Sequence, residues 1–120
     1  MSFTVRNRDS AARLDAYEAV FTALAHPARR RVLLAVYFNG GKMSAGEIAG
    51  HFDLAKPTLS GHFAVLREAR LVTPEKTGTT IIYRLNVSVL EEAVMALMDT
   101  FKVEPKAAAE RTAPRKGEAR

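Results

Sequence analysis

The stretch from Ser44 to Arg84, SAGEIAGHFDLAKPTLSGHFAVLREARLVTPEKTGTTIIYR, constrains the fold more than any other part of the chain. Ser44-Ala45-Gly46-Glu47 is a capping box: the serine hydroxyl closes an orphan amide of a new helix and the glutamate reaches back. That helix is short, turns Ile48 and Ala49 inward and is expected to stop near Phe52. Asp53-Leu54 makes a tight turn, with Leu54 expected to plug the core between two helices. The second helix starts at Ala55 or Lys56, and Pro57 fits its first turn, where amides have no intrahelical partner. Leu59, Phe63 and Leu66 recur at helical spacing, and Val65 and Ala69 widen the buried stripe. Leu71-Val72-Thr73 leaves as a strand, Gly78 sits in a tip, and Thr79 to Arg84 returns. Together these elements predict a winged helix-turn-helix, mostly α with a small β-hairpin. Its second helix would lie in a DNA major groove.

Around this stretch lie further motifs. The string Leu24-Ala25-His26-Pro27-Ala28-Arg29-Arg30, followed by Arg31-Val32-Leu33 and later by Leu59-Ser60 to Val72, resembles the ArsR family of bacterial winged-helix repressors. Met43 to Ala49 and the Lys56-Pro57-Thr58-Leu59-Ser60 helix start are similar to that family's SdpR-like autorepressor branch. The resemblance runs from Tyr17 to Phe101. It implies a dimer built through the first and last helices, double-stranded DNA as partner, and control by the protein of its own gene.

Before the motif, Asp9 and Ser10 are candidate N-caps for a first helix with a stripe of Leu14, Tyr17, Val20, Phe21 and Leu24. It ends at His26-Pro27, because the residue before proline avoids helical dihedrals. A second helix runs from Pro27 to Phe38 and stops at Gly40-Gly41. Its face of Val32, Leu33, Val36 and Tyr37 makes it the expected central helix. Arg29-Arg30-Arg31 reads either as a phosphate patch or as solvated and ion-paired surface. His26 stands at a cap position where the resembling family more often has aspartate.

After the hairpin, Asn86 or Ser88 caps a last helix, and Ser88-Val89-Leu90-Glu91 repeats the capping-box pattern. Leu90, Val94, Leu97 and Phe101 recur along one side, while Val89, Met95 and Met98 spread the apolar surface further. A small chain offers such a helix little cover. The cover is either the first helix of the same chain or a second copy. The resemblance implies the second copy, with Leu14, Tyr17, Phe21, Leu90, Val94, Leu97, Met98 and Phe101 at the dimer interface.

Length and composition set the outer bounds. The 120 residues suit one domain, expected over residues 11–102, with a flexible segment at 1–10 and a disordered basic tail at 103–120. That tail has charges, alanines, two prolines and a glycine without apolar period, so it cannot bury itself. The net charge of +5 points to a polyanionic partner. Yet residues 103–120 hold five basic against three acidic residues, and residues 1–10 two against one, leaving +2 between them. The motif, not the charge, argues for DNA. There is no cysteine, which excludes disulfides, thiolate metal sites and a catalytic thiol. No apolar run reaches membrane-span length, so membrane insertion is not expected and a cytoplasmic location is.

On a helical wheel, the second motif helix turns Pro57, Ser60, Gly61, Ala64 and Glu68 outward. Its DNA contacts are expected from Lys56, Pro57, Thr58, Ser60, Gly61, His62 and Ala64, with Lys76, Thr79 and Arg84 of the wing. Small outward residues either let the backbone sit deep in the groove, with Ala64 on a thymine methyl, or leave specificity to DNA shape. His62 lies beside the buried stripe and serves either a DNA contact or a structural hydrogen bond. Many members of the resembling family respond to metals, but His26, His51 and His62 are scattered here and the last helix has only Glu91, Glu92 and Asp99. No metal, cofactor or catalytic residue is expected. An effector, if one exists, is a protein or a small molecule. The rival to a homodimeric repressor is a winged helix kept as a protein-interaction module, with weak or no specific DNA binding.

Overall fold

The computed structural model describes residues 8–102. In order they form α1 (Arg8–Asp15), α2 (Glu18–Leu24), α3 (Pro27–Phe38), β1 (Lys42–Ser44), α4 (Ala45–Gly50), α5 (Lys56–Glu68), β2 (Val72–Thr77), β3 (Thr80–Leu85) and α6 (Val87–Thr100). The expected tail and most of the expected leading segment lie outside the described residues. Because α1 begins at Arg8, Asp9 falls inside its first turn rather than capping it.

The single first helix read from the sequence is two helices. Tyr17 leaves helical geometry (φ −110°, ψ 19°) and becomes the N-cap of α2. Leu14, Tyr17, Phe21 and Leu24 keep one phase across the break, so periodicity alone runs straight through it. The following helix matches its expected bounds. His26 caps α3 with a side-chain nitrogen: Nδ1 accepts from the Ala28 amide at 3.1 Å, which requires that nitrogen to be unprotonated. At the far end Gly40 and Gly41 take φ of +80° and +91°, a region L side chains avoid. Tyr37, expected in the buried face of α3, is instead 57% exposed.

The sheet has three strands rather than two, in the order β1-β3-β2, all antiparallel. Three residues are too few to show an alternating pattern, so β1 left no periodic trace in the sequence. Met43 lies opposite Tyr83, and both are buried. Ser44 ends β1 and at once caps α4: its hydroxyl accepts from the Glu47 amide at 3.0 Å, and the Glu47 carboxylate accepts from the Ser44 amide at 3.1 Å. The capping box is as read. Leu54 is not the expected plug; it is 39% exposed, and Phe52 packs against the core in its place.

Ile48, Leu66, Leu71, Val32 and Val36 are fully buried and tie α3, α4 and α5 to the root of the hairpin. Truncating such a side chain to alanine typically costs about 2–5 kcal/mol. Behind α5, Arg70 sits at φ 62° while the Arg70 and Leu71 amides bond the Arg67 and Leu66 carbonyls. This is a Schellman closure, with Leu71 packed beside Leu66 as its apolar contact. At α6, Asn86 is the N-cap but makes no side-chain cap bond. Ser88 already lies inside the helix, so the second capping box does not form.

Candidate nucleic-acid interface

Helix α5 is oriented by its own apolar stripe. Leu59, Phe63 and Leu66 are buried, and the Phe63 ring stacks on Tyr83 of β3 at 4.6 Å between centroids. That stack fixes the wing relative to the helix. On the opposite side Pro57, Ser60, Gly61, Ala64 and Glu68 are exposed, as the wheel predicts, and Lys56 and Thr58 at the helix start are exposed as well. An added Cβ at Gly61 would meet no atom within 4 Å. Packing among the described residues therefore does not demand a glycine there.

Strand register sorts the wing residues. Lys76 pairs with Ile81, so it shares the sheet face of Ile81 and Tyr83, the face turned toward α5. Arg84 pairs with Thr73 on the other face. There its guanidinium grips the Glu75 carboxylate through two bonds of 3.2 Å, and this contact holds the Glu75 carboxyl below its usual range. The structure thus brings Lys76 to the side of α5 and turns Arg84 away from it, with much of its charge matched. Thr79 lies in the tip between the strands.

Between α4, the first half of α5 and β3 lies a notch of about 350 Å³. Lys56 and Ser60 stand at it, and Ala45, Gly46 and Ala49 keep the α4 wall low. The sequence reading missed this notch. Its one signal was the run of small residues in α4, which means nothing until β3 is known to stand opposite.

His62 is only 8% exposed. Its ring lies 4.5 Å from that of His26, and Arg29 Nη1 donates toward its Nδ1 at 3.4 Å. Of the two roles the sequence left open, its surroundings serve the structural one. Burial, then the neighbouring His26 and Arg29, push the His62 pKa below its ordinary value. The basic run beside it is also largely accounted for. Arg29 donates to the Ala23 and Thr22 carbonyls and Arg30 to that of Leu24. These bonds satisfy the free C-terminal carbonyls of α2, where a cation also opposes the helix dipole.

The residues expected at a dimer interface belong to α1, α2, α6 and their borders, and α6 packs on both α1 and α2; Tyr17, Phe21 and Leu90 also pack against the core of this chain. Helices α1 and α6 pack on each other, joined by an ion pair of Arg13 and Asp99. On the inner side of α6, Ala93 and Ala96 are buried, and Val89 and Leu90 are partly buried against the core. Leu90 and Met98 are half-buried, whereas Val94, Leu97 and Phe101 remain exposed, as does Met95. Leu14, Tyr17 and Phe21 are half-buried. Among the described residues no three of His, Asp and Glu converge as a metal set, and no helix is long and apolar enough to cross a membrane.

Residues 24–75 match a family described as a helix-turn-helix domain. The transcriptional repressor SdpR of Bacillus subtilis (strain 168) is 39% identical over 75 residues, which are 62% of this chain and 81% of that protein. The crystal structure of a possible transcriptional regulator for arsenical resistance matches with 32% identity and a TM-score of 0.58, over 78% of this chain and 95% of the other. An ArsR-like transcriptional regulator from Rhodococcus sp. RHA1 shares the fold at 21% identity and a TM-score of 0.63, over 89% and 99% of the two chains. At that identity and coverage of SdpR, and with this fold, the chain belongs to the ArsR family of winged-helix, DNA-binding transcriptional repressors.

Proposed function

We propose that the protein acts as a homodimer on an inverted-repeat operator in front of its own gene. The observation that carries this reading is the division of α5. One side is locked by Leu59, Phe63 and Leu66, and the other presents Lys56, Thr58, Ser60, Gly61 and Ala64, with Lys76 of the wing on the same side. Lys56 and Lys76 meet phosphate, and Lys56 also reaches a guanine edge. Thr58 and Ser60 meet base edges, and the lack of bulk at Gly61 and Ala64 lets the helix backbone approach the groove floor. The outward apolar side of α6, with Leu14, Tyr17 and Phe21, joins the two copies. Their paired α5 helices then address successive major grooves about 34–36 Å apart. Repression follows the likeness to the transcriptional repressor SdpR; that its target is its own gene, and its place the cytoplasm, rests on the sequence resemblance to the family's autorepressor branch. Gel-shift titration of the upstream region of the gene against random DNA, at two salt concentrations, tests the reading. Tight binding of one inverted repeat is expected, with a preference that survives added salt while overall affinity falls. Equal, weak binding to both DNAs would favour a protein-interaction module instead.

A further inference from the structure

Away from the DNA-facing side, α2, α3, the end of β3 and the start of α6 border an apolar groove of about 350 Å³. Leu24, Leu33, Leu85 and Leu90, all wholly or partly buried, form its inner surface. Leu34 and Tyr37 of α3 and Val87 of α6 form the rim, and each is roughly half exposed. Among the described residues one charged side chain lines the groove, Arg30, and no acidic residue does. The Arg30 Nη1 donates to the Leu24 carbonyl at 2.7 Å, which anchors the guanidinium at the α2 end. A guanidinium has five N–H donors, so others remain for a second acceptor.

We propose that this groove binds a medium-chain carboxylate, its alkyl chain between α3 and α6 and its carboxylate on Arg30. The charge fits: a lone cation at the edge of a hydrocarbon surface selects an anion with an apolar tail, and guanidinium matches carboxylate in shape. The size fits as well. The volume lies near the lower end of the roughly 300–1,000 Å³ typical of small-molecule sites. A protein partner would need about 20–30 residues a side, far more than the eight side chains here. The site goes beyond the repressor reading and needs no DNA; Leu90 is the one lining residue it shares with the proposed contact between copies.

The test titrates sodium decanoate into the full chain without DNA and follows methyl resonances by NMR, with calorimetry for affinity. Saturable shifts are expected at Leu24, Leu34, Leu85, Val87 and Leu90. Decanamide, equal in length but uncharged, should bind about tenfold more weakly, the loss of one charge-assisted contact. Arg30→Gln should bring decanoate down to the same level. Because Arg30 also closes α2, Leu34→Glu and Val87→Glu provide variants at the exposed rim that leave that closure alone. Both should abolish binding while the fold, read by circular dichroism, persists. Absence of saturable shifts overturns the proposal, as does equal affinity for decanoate and decanamide. Undiminished binding to Leu34→Glu overturns it too. So does a rim variant whose effect is a change in sedimentation, since the groove would then be a contact between copies.

Discussion

Lys76 and Thr58 both belong to the proposed DNA face, yet their replacement should leave different signatures. A wing lysine on phosphate carries no sequence information. Lys76→Ala should therefore weaken operator and random DNA alike and reduce the salt slope by about one. Thr58→Val and Ser60→Ala should cost roughly 1–3 kcal/mol on the operator and leave random DNA unchanged. At Gly61 an added Cβ meets no atom of the described residues within 4 Å, and replacing glycine inside a helix gains up to about 1 kcal/mol of stability, so Gly61→Gln should fold. A stable protein with altered operator preference is expected, read by thermal melting and gel shift. If none of these α5 variants changes discrimination, α5 is not the reader. His62 allows a prediction of another kind. Its folded-state pKa lies below the ordinary 6.5, so between the two values the unfolded chain binds more protons. Stability contributed by neutral His62 is complete above about 6.5 and is lost as pH falls through the lowered folded value. Urea melts from pH 8 to 5 should show that decline, and His62→Asn should flatten it; an unaltered slope would remove His62 as its source. The outward set on α5 was legible because a wheel needs only spacing. The roles of Arg29, Arg30 and His62 were not, because each depends on where the end of α2 comes to rest against α3 and α5.

Among the elements, those with chemical punctuation were readable and those without it were not. Pro27 and Gly40-Gly41 bracket α3, and the Ser44–Glu47 box opens α4, since each residue type there satisfies a backbone need that sequence alone reveals. The break at Tyr17 has no glycine or proline to mark it. Strand β1 exists only because β3 offers its edge. The expected cap at Ser88 failed for a related reason. The Asn86 amide bonds the Leu71 carbonyl at 2.9 Å, and the helix starts directly after that anchor. Two substitutions test these local accounts. Ser44→Ala removes the acceptor for the Glu47 amide and should cost about 1 kcal/mol in chemical denaturation. Arg70→Gly should do the opposite. A non-glycine residue in the left-handed region carries roughly 1–2 kcal/mol of strain, and glycine relieves it, less its greater freedom in the unfolded chain. A raised melting midpoint is expected; an unchanged or lowered one would mean that the Arg70 side chain compensates in place.

For the whole molecule, the unsettled balance is the outer side of α6. Ala93 and Ala96, with Val89 and Leu90, face the core, whereas among the described residues Val94, Met95, Leu97 and Phe101 stay only partly covered. Scattered apolar residues on a surface need no explanation, but three on α6 and Phe101 at its C-cap, on a helix that packs against α1 and α2, are more than a lone exposed side chain and mark a candidate interface. A two-fold interface is self-complementary, so one substitution acts twice. If the outer face of α6 stays in water, Leu97→Glu is a surface change worth no more than about 0.5 kcal/mol. If it is the seam of a dimer, two carboxylates enter an apolar contact without partners, and the copies separate. Helix content should then persist while sedimentation moves from dimer to monomer. Operator binding should fall with it, because a monomer engages one half-site and forfeits the gain from linking two. Arg13→Ala serves as a control, since the ion pair with Asp99 is exposed and within one chain, and its loss should alter neither mass nor affinity. A wild-type chain that sediments as monomer at micromolar concentration would remove the dimer, and with it the inverted repeat as the required form of the operator.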